Sequence, residues 1–163
     1  TIWLKRKTPQ NIVIGGASGA LPPVIGWTIA TNSLTLEPIT FFLIIFYWTP
    51  SHFWCLAMKI RDDYAAANVP MLPVIIGMEK TSKYILLSTL VLLPYSFMLY
   101  AFGMGLVYMA FAVVSGGLML VYHYKLTKVP TSDFAWKAYK VTAPYLTIIF
   151  IGIALDAAFH FRF

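Results

Sequence analysis

The chain has 163 residues, of which 60% are hydrophobic and only 11% charged, and its mean hydropathy is +0.75. A typical soluble domain is about 25% charged, and a water-soluble fold of this size cannot bury so much apolar surface. The same composition excludes a disordered chain, which needs low hydrophobicity and high charge. The sequence is therefore that of a membrane protein.

Five apolar stretches are long enough to cross a bilayer as helices, which takes about 20 residues each. Backbone groups inside lipid must be hydrogen-bonded internally, so helices are the expected structure and the fold class is an all-α membrane protein. Polar turns or turns containing Gly or Pro separate the stretches. The predicted spans are 11–31, 38–58, 84–102, 105–124 and 141–159.

The basic residues predict the orientation of the spans. A formal net charge of +6 would suggest a nucleic-acid partner in a soluble protein, but here it follows membrane topology, and no such partner is expected. Segments 1–10, 59–83 and 125–140 hold every Lys and Arg except Arg162. The positive-inside rule puts these segments in the cytoplasm, or in the matrix if the membrane is the mitochondrial inner membrane.

The first span contains Gly15 and Gly19 in a G-x-x-x-G pattern. Small residues at this spacing let two helices approach closely, which favours helix packing. A close approach of the helix to a ligand is the alternative interpretation.

The second span carries polar and aromatic residues on one face. Trp48, His52, Cys55 and Lys59 share this face on a 3.6-residue period. If the helix continued to Asp63, that carboxylate would lie about 16 Å along the axis from His52. His52 has two open interpretations, a structural histidine bonded to a neighbouring helix or a functional group. Cys55 is interpreted as a small packing residue.

The segment after this span predicts a substrate site. Asp62 and Asp63 are either a solvated helix end or carboxylates at the mouth of a cleft, and the apolar Pro-rich segment 69–77 resembles a lid on the membrane surface. Mg²⁺ typically takes one or two carboxylates plus substrate phosphate oxygens, and nearby cations neutralise the remaining charge. The pattern thus favours a phosphate-rich substrate held through magnesium.

Two further polar residues fall near the ends of spans. His123 stands between Tyr122 and Tyr124, which predicts a place in an interfacial aromatic belt. Asp156 is expected at the interface or paired inside the bundle.

A set of short motifs runs along the chain: Thr8-Pro9, residues 11–17, Gly19-Ala20, Pro22-Pro23, Gly26-Trp27, Trp48-Thr49-Pro50, His52-Phe53-Trp54, Asp63-Tyr64, residues 70–74, Gly77 and Thr81. Together they resemble the protohaem IX farnesyltransferases, a branch of the UbiA intramembrane prenyltransferase superfamily. The likeness covers nearly the whole chain and is closest to bacterial members, which implies a bacterial inner membrane. Asn68 stands where glycine is usual in this family, and Asn tolerates the left-handed backbone expected there.

The resemblance implies a nine-helix bundle, of which residues 1–163 would form the last five helices of a single domain. The chain begins with Thr in a basic loop and has an odd number of spans, which agrees with that expectation. The implied reaction transfers farnesyl from farnesyl diphosphate to a vinyl group of haem b, giving haem O. The first of two Asp-rich loops would be absent, so we expect this segment alone to be inactive. Haem A synthase or terminal oxidase assembly would be possible partners in the lipid bilayer.

The resemblance also implies roles for individual residues. The site would combine a metal-binding pair, cations for phosphate or haem propionates, and π faces for a farnesyl cation. His52 could ligate haem iron or handle a proton. The candidate catalytic residues are Asp62, Asp63, Tyr64 and His52; Asp62 and Asp63 would bind Mg²⁺, and the substrate-binding candidates are Lys59, Arg61, Lys80, Lys83, Trp48, Phe53 and Trp54.

Two alternatives remain. Another UbiA-type prenyltransferase, acting on an aromatic acid or a chlorin, would usually show further Asp residues after Asp63, whereas positions 64–78 contain no acidic residue. A non-enzymatic bundle, such as a transporter fragment or an oxidase assembly subunit, would need no metal and would tolerate Asn at positions 62 and 63.

Overall fold

The computed structural model describes residues 2–160, and this part of the chain contains helices and no strand. Five helices are long and apolar enough to cross a membrane. The chain is therefore an all-α, multi-pass membrane protein, as the composition predicts. The helices are α1 (Ile2–Lys5), α2 (Asn11–Thr31), α3 (Leu36–Lys59), α4 (Arg61–Ala66), α5 (Leu72–Ile75), α6 (Gly77–Ala101), α7 (Leu106–Lys128) and α8 (Ser132–His160).

The long helices extend beyond the predicted spans at one end of the bundle. Helix α6 begins at Gly77 rather than 84, α7 continues to Lys128, and α8 begins at Ser132 rather than 141. The added turns are polar, so a hydropathy pattern does not include them. This end, formed by residues 1–10, 59–83 and 125–140, is called the basic end below. Arg162, assigned to the opposite side, lies outside the described residues.

Helix α3 occupies the centre of the bundle. It packs against α2, α6 and α8, while α7 packs between α6 and α8. Successive long helices run in opposite directions, so the start of α2, the end of α3 and the start of α8 meet at the basic end. One buried cluster lies around Ile44, Leu92 and Tyr108, and a second lies nearer the basic end around Met58 and Ile85.

The close contact between α2 and α3 uses a glycine next to the predicted pair. A Cβ placed on Gly16 would lie 3.1 Å from Thr49 Cγ2, and Ala20, one turn further, is fully buried. A Cβ on Gly19 would meet nothing within 4 Å. The packing interpretation therefore applies to Gly16 and Ala20 and not to Gly19.

The connection between α3 and α6 has a defined backbone structure that includes the short helices α4 and α5. Helix α3 ends at Lys59 and α4 begins at Arg61, so the assumed continuation of α3 to Asp63 is wrong. The left-handed backbone predicted for Asn68 is confirmed by its φ of 52°. In the segment interpreted as a lid, Met71 and Leu72 are buried, and α5 packs against α3 and α6.

The prediction for His123 is wrong, because this residue lies fully inside the bundle rather than in an aromatic belt. Its Nδ1 lies 2.6 Å from Thr89 Oγ1, and its Nε2 lies 3.7 Å from the Cys55 sulfur. These partners on α6 and α3 satisfy both ring nitrogens. A periodicity argument on one helix could not detect them.

Asp156 is paired inside the bundle, the second of its two expected environments. Its carboxylate accepts hydrogen bonds from the backbone N–H groups of Gly105 and Tyr108, at the start of α7. The carboxylate thereby caps the helix and meets the positive end of its dipole. A Cβ on Gly105 would lie 2.7 Å from Asp156 Oδ1, so a side chain at this position would displace the carboxylate.

Candidate functional site

A cavity of about 740 Å³ lies between α2 and α3 and reaches toward the basic end. Other elements complete its lining: Lys5 of α1, Tyr64 of α4, Met71 just before α5, and Leu146 of α8. The cavity therefore brings together the glycine-rich turns of α2, the aromatic motif of α3 and the start of the connecting segment.

The polar part of the lining lies at the basic end. Lys5, Asn11 and Tyr64 contribute to it. Asn11 is buried, and its Nδ2 donates to the Thr8 carbonyl oxygen at 2.8 Å and contacts Met71 Sδ at 3.5 Å. These contacts hold the Asn11 amide in one orientation at the cavity wall.

Sequence reasoning missed Lys5 and Asn11 as candidate site residues. Asn11 was noted only within a family motif, and Lys5 only for its contribution to topology. A buried amide at the first position of an apolar span is unusual because it needs partners, and that signal could have identified Asn11.

The remainder of the lining is mostly apolar. Gly15, Ser18 and Gly19 of α2 form one wall, which agrees with the ligand alternative for the glycine pair. Opposite them, α3 contributes Trp48 and Phe53. The other apolar lining residues are Ile12, Ile45, Leu56 and Leu146.

Of the three predicted aromatic residues, the structure brings two to the cavity. Trp48 and Phe53 line it, whereas Trp54 lies in the buried cluster with Leu72 and Ile85 on another side of α3. Trp54 is 6% exposed and its Nε1 finds no hydrogen-bond partner among the described residues. Adjacent residues on a helix differ by about 100° in direction, which explains why Phe53 faces the cavity and Trp54 does not.

His52 is buried behind the cavity wall. Its ring stacks on Trp48 and on Tyr139 of α8, each at a centroid distance of 4.4 Å, and its Nδ1 lies 2.8 Å from Thr142 Oγ1. The residue is not part of the cavity lining. The predicted face of α3 therefore contacts α8 through Trp48, His52 and Lys59, whereas its fourth residue, Cys55, contacts His123 of α7.

The acidic pair lies in the first turn of α4, next to the cavity. Asp62 and Asp63 are both exposed to solvent, and Tyr64 lines the cavity. Residues on a helix advance by about 100° each, so Asp63 lies about 100° from Tyr64 and Asp62 about 160° from it. Asp63 is therefore the acidic residue whose direction lies nearer the cavity.

The predicted cations mostly contact protein groups. Lys59 Nζ pairs with Asp133 at 2.9 Å, and Lys83 Nζ pairs with Glu79 at 2.8 Å. Lys80 is exposed on the first turn of α6.

Arg61 connects the two short helices of the connecting segment. Its Nε donates to the Pro73 carbonyl oxygen at 3.2 Å, and its guanidinium lies 4.0 Å from Asp62. Arg61 therefore links α4 to α5, and any role of these four cations toward a substrate stays a prediction.

The model of the UbiA prenyltransferase family matches residues 1–153. The chain belongs to this family. It is 70% identical over its whole length to protoheme IX farnesyltransferase 1 of Cenarchaeum symbiosum, covering 55% of that protein. Over 96% of the chain it is 53% identical to the Pelagibacter ubique protoheme IX farnesyltransferase and 44% identical to the Synechocystis one, covering 53% and 51% of them.

The chain thus spans about half the length of the curated relatives that it matches. No solved structure gives a significant match.

For a UbiA protein, the donors at the basic end are chemically suited to magnesium, although the described residues hold no cluster of three or more His, Cys, Asp or Glu side chains. Asp62 and Asp63 offer hard carboxylate oxygens, and Asp63 has no ion pair or side-chain hydrogen bond within residues 2–160. Magnesium usually keeps several waters and takes only one or two carboxylates when a substrate phosphate is present. The acidic turn fits this type of site.

Proposed function

We propose that the protein is a protohaem IX farnesyltransferase, which transfers farnesyl from farnesyl diphosphate to a vinyl group of haem b to give haem O. The family membership and the printed names of the relatives support this reaction. The observation that carries it in the structure is the cavity, which is polar at the basic end beside Asp63 and apolar beyond.

The diphosphate would bind at the polar part of the cavity. Lys5 supplies a positive charge there, and Tyr64 supplies a hydroxyl that can donate to a phosphate oxygen. Asp63, with Asp62 directly or through water, would hold Mg²⁺. When bound, the metal neutralises charge on the departing diphosphate.

The farnesyl chain would occupy the apolar part between α2 and α3. Gly15 and Gly19 leave room for it, while Trp48 and Phe53 present aromatic rings. Such rings stabilise a nearby cation by about 0.5–2 kcal/mol. They would thus favour the allylic cation that develops when the C1–O bond to diphosphate breaks.

The reaction balances without an oxidant or reductant. The allylic carbon loses diphosphate and forms a carbon–carbon bond with the vinyl group of haem b. Water adds to the cationic carbon that results and releases one proton. The low polarity of the cavity lining limits the premature hydrolysis of the allylic cation by other waters.

The location and partners follow from the same proposal. The basic end would face the cytoplasm across a bacterial or archaeal cytoplasmic membrane, since the relatives include proteins from both groups. Haem A synthase or a terminal oxidase assembly would receive the product.

The test is to express the full-length protein in a host that makes farnesyl diphosphate and to analyse extracted haems by mass spectrometry. A haem heavier than haem b by one farnesyl group and one water supports the proposal. Asp63→Asn should lose this product, whereas the matched variant Glu37→Gln, which removes a carboxylate at the opposite end of the bundle, should keep it. Unchanged haem b from well-folded wild-type protein would refute the proposal, and a prenylated aromatic acid or chlorin would indicate the sister reaction.

A further inference from the structure

Thr142 of α8 contacts both Trp48 and His52 of α3. The Trp48 Nε1–H donates to the Thr142 carbonyl oxygen at 2.9 Å. The Thr142 hydroxyl lies 2.8 Å from His52 Nδ1 and donates to the Tyr139 carbonyl oxygen at 2.8 Å. Thr142 is fully buried, so these contacts are shielded from water.

The hydrogen bonds of Thr142 favour a proton on Nδ1 of His52. A threonine hydroxyl has a single proton, and the hydrogen bond to the Tyr139 carbonyl oxygen uses it. The contact with His52 is then best made with Nδ1 as the donor. In either tautomer, Thr142 holds the imidazole ring in one orientation.

The oriented imidazole supports the cavity wall. It lies nearly parallel to the Trp48 ring, at an interplanar angle of 13°, and to the Tyr139 ring, at 24°. Both faces of His52 are thus covered by aromatic rings. Because Trp48 lines the cavity and His52 does not, the imidazole backs the indole from within the bundle.

We infer that Thr142 and His52 are positioning residues, which hold the Trp48 ring at the cavity and act on the substrate only through it. The inference rests on the proposed function for its catalytic consequence. It assigns His52 neither iron ligation nor proton transfer, since its Nδ1 is bonded to Thr142 and the residue does not line the cavity.

Four variants of the full-length protein separate the contributions. Thr142→Val keeps the side-chain volume but removes the hydroxyl that bonds to His52, and Thr142→Ser keeps the hydroxyl. His52→Phe keeps an aromatic ring and removes the hydrogen bond. Trp48→Phe removes the indole, so in this background Thr142 and His52 have no indole ring to position.

The first measurement does not depend on enzymatic activity. Near-ultraviolet circular dichroism of the wild type minus that of Trp48→Phe isolates the signal of the ordered Trp48 ring. The same difference taken in the Thr142→Val background should be smaller, because the imidazole behind the indole loses its partner while the bond from Trp48 to the Thr142 backbone remains, and Thr142→Ser should retain it. An unchanged difference spectrum in Thr142→Val would overturn the inference, even if the protein proved to catalyse another reaction.

The second measurement is kcat/KM for farnesyl diphosphate. Loss of one buried hydrogen bond should lower it about tenfold in Thr142→Val, with recovery in Thr142→Ser and no further loss when Thr142→Val is added to Trp48→Phe. An additive loss in the double variant would overturn the inference.

The third measurement adds haem b to each protein and records its absorption spectrum. Identical spectra for wild type and His52→Phe are expected. A shifted Soret band in His52→Phe would show that the histidine binds iron and would also overturn the inference. Absence of haem O from the wild type would refute the proposed function alone, because the dichroism result stands separately.

Discussion

The cavity can be filled without disturbing the helix packing, by replacing Gly19 with leucine. Gly19 lines the cavity, and a Cβ at this position meets no atom within 4 Å. The leucine would place four carbon atoms in the space proposed for the farnesyl chain. Because a buried methylene contributes about 0.8 kcal/mol, excluding four ligand carbons should weaken binding by about 3 kcal/mol, or about 100–200-fold.

The matched control is Gly26→Leu, on the same helix. Gly26 is exposed, has equally open surroundings and does not line the cavity. Both substitutions replace glycine by a stronger helix former, so neither should weaken α2. Any difference between the two variants then reports occupation of the cavity.

The assay measures haem O formation by the full-length protein in membranes at increasing farnesyl diphosphate. Gly19→Leu should raise KM by about two orders of magnitude, and Gly26→Leu should leave it unchanged. A wild-type KM in Gly19→Leu, with normal expression, would show that the farnesyl chain binds elsewhere. Equal losses in both variants would show that bulk on α2 disturbs something other than this cavity.

Three further predictions concern packing and backbone. Asp156→Ala should lower the free energy of unfolding in detergent by about 1–3 kcal/mol, because α7 loses its cap. The control Glu79→Ala breaks an exposed ion pair and should change this free energy by less than about 0.5 kcal/mol. Equal effects of the two substitutions would contradict the capping role. The buried thiol of Cys55 should react with a maleimide only after unfolding, and labelling of the folded protein would disprove its burial. Asn68→Gly should be neutral and Asn68→Val destabilising by about 1–2 kcal/mol, because φ is positive there; a stable Val variant in thermal melts would contradict this.

The hydropathy pattern predicts the five spans because each crosses an apolar layer that demands about 20 apolar residues. It does not predict where a helix stops once it leaves that layer. Helix α8 continues through polar residues from Ser132, and α3 breaks at Lys59 although the sequence around it would permit a helix. Hydropathy carries no information on those boundaries, because both lie among polar residues outside the apolar layer.

The candidate site is predicted less completely because it is formed by contacts between distant segments. The resemblance identifies Asp63 and Tyr64, but the cavity wall formed by Lys5 and Asn11 appears only when α1 and α2 are placed beside α4. Helical periodicity puts His52 on the face of Trp48, yet it cannot show that Thr142, 90 positions away along the chain, bonds to its ring.

The two acidic residues of α4 should contribute unequally, although the sequence treats them as a pair. Asp63 lies about 100° from the cavity-lining Tyr64 around the helix, and Asp62 about 160°; the side chain of Asp62 is 97% exposed and lies 4.0 Å from Arg61. A metal ion beside the cavity would therefore bind Asp63 directly more readily than Asp62. Asp63→Asn should lower the rate of haem O formation at least about tenfold more than Asp62→Asn does. This ratio corresponds to a difference of at least about 1.4 kcal/mol in activation free energy. Equal losses would mean that both carboxylates contact the same ion, which requires α4 to rotate or unwind when substrate binds.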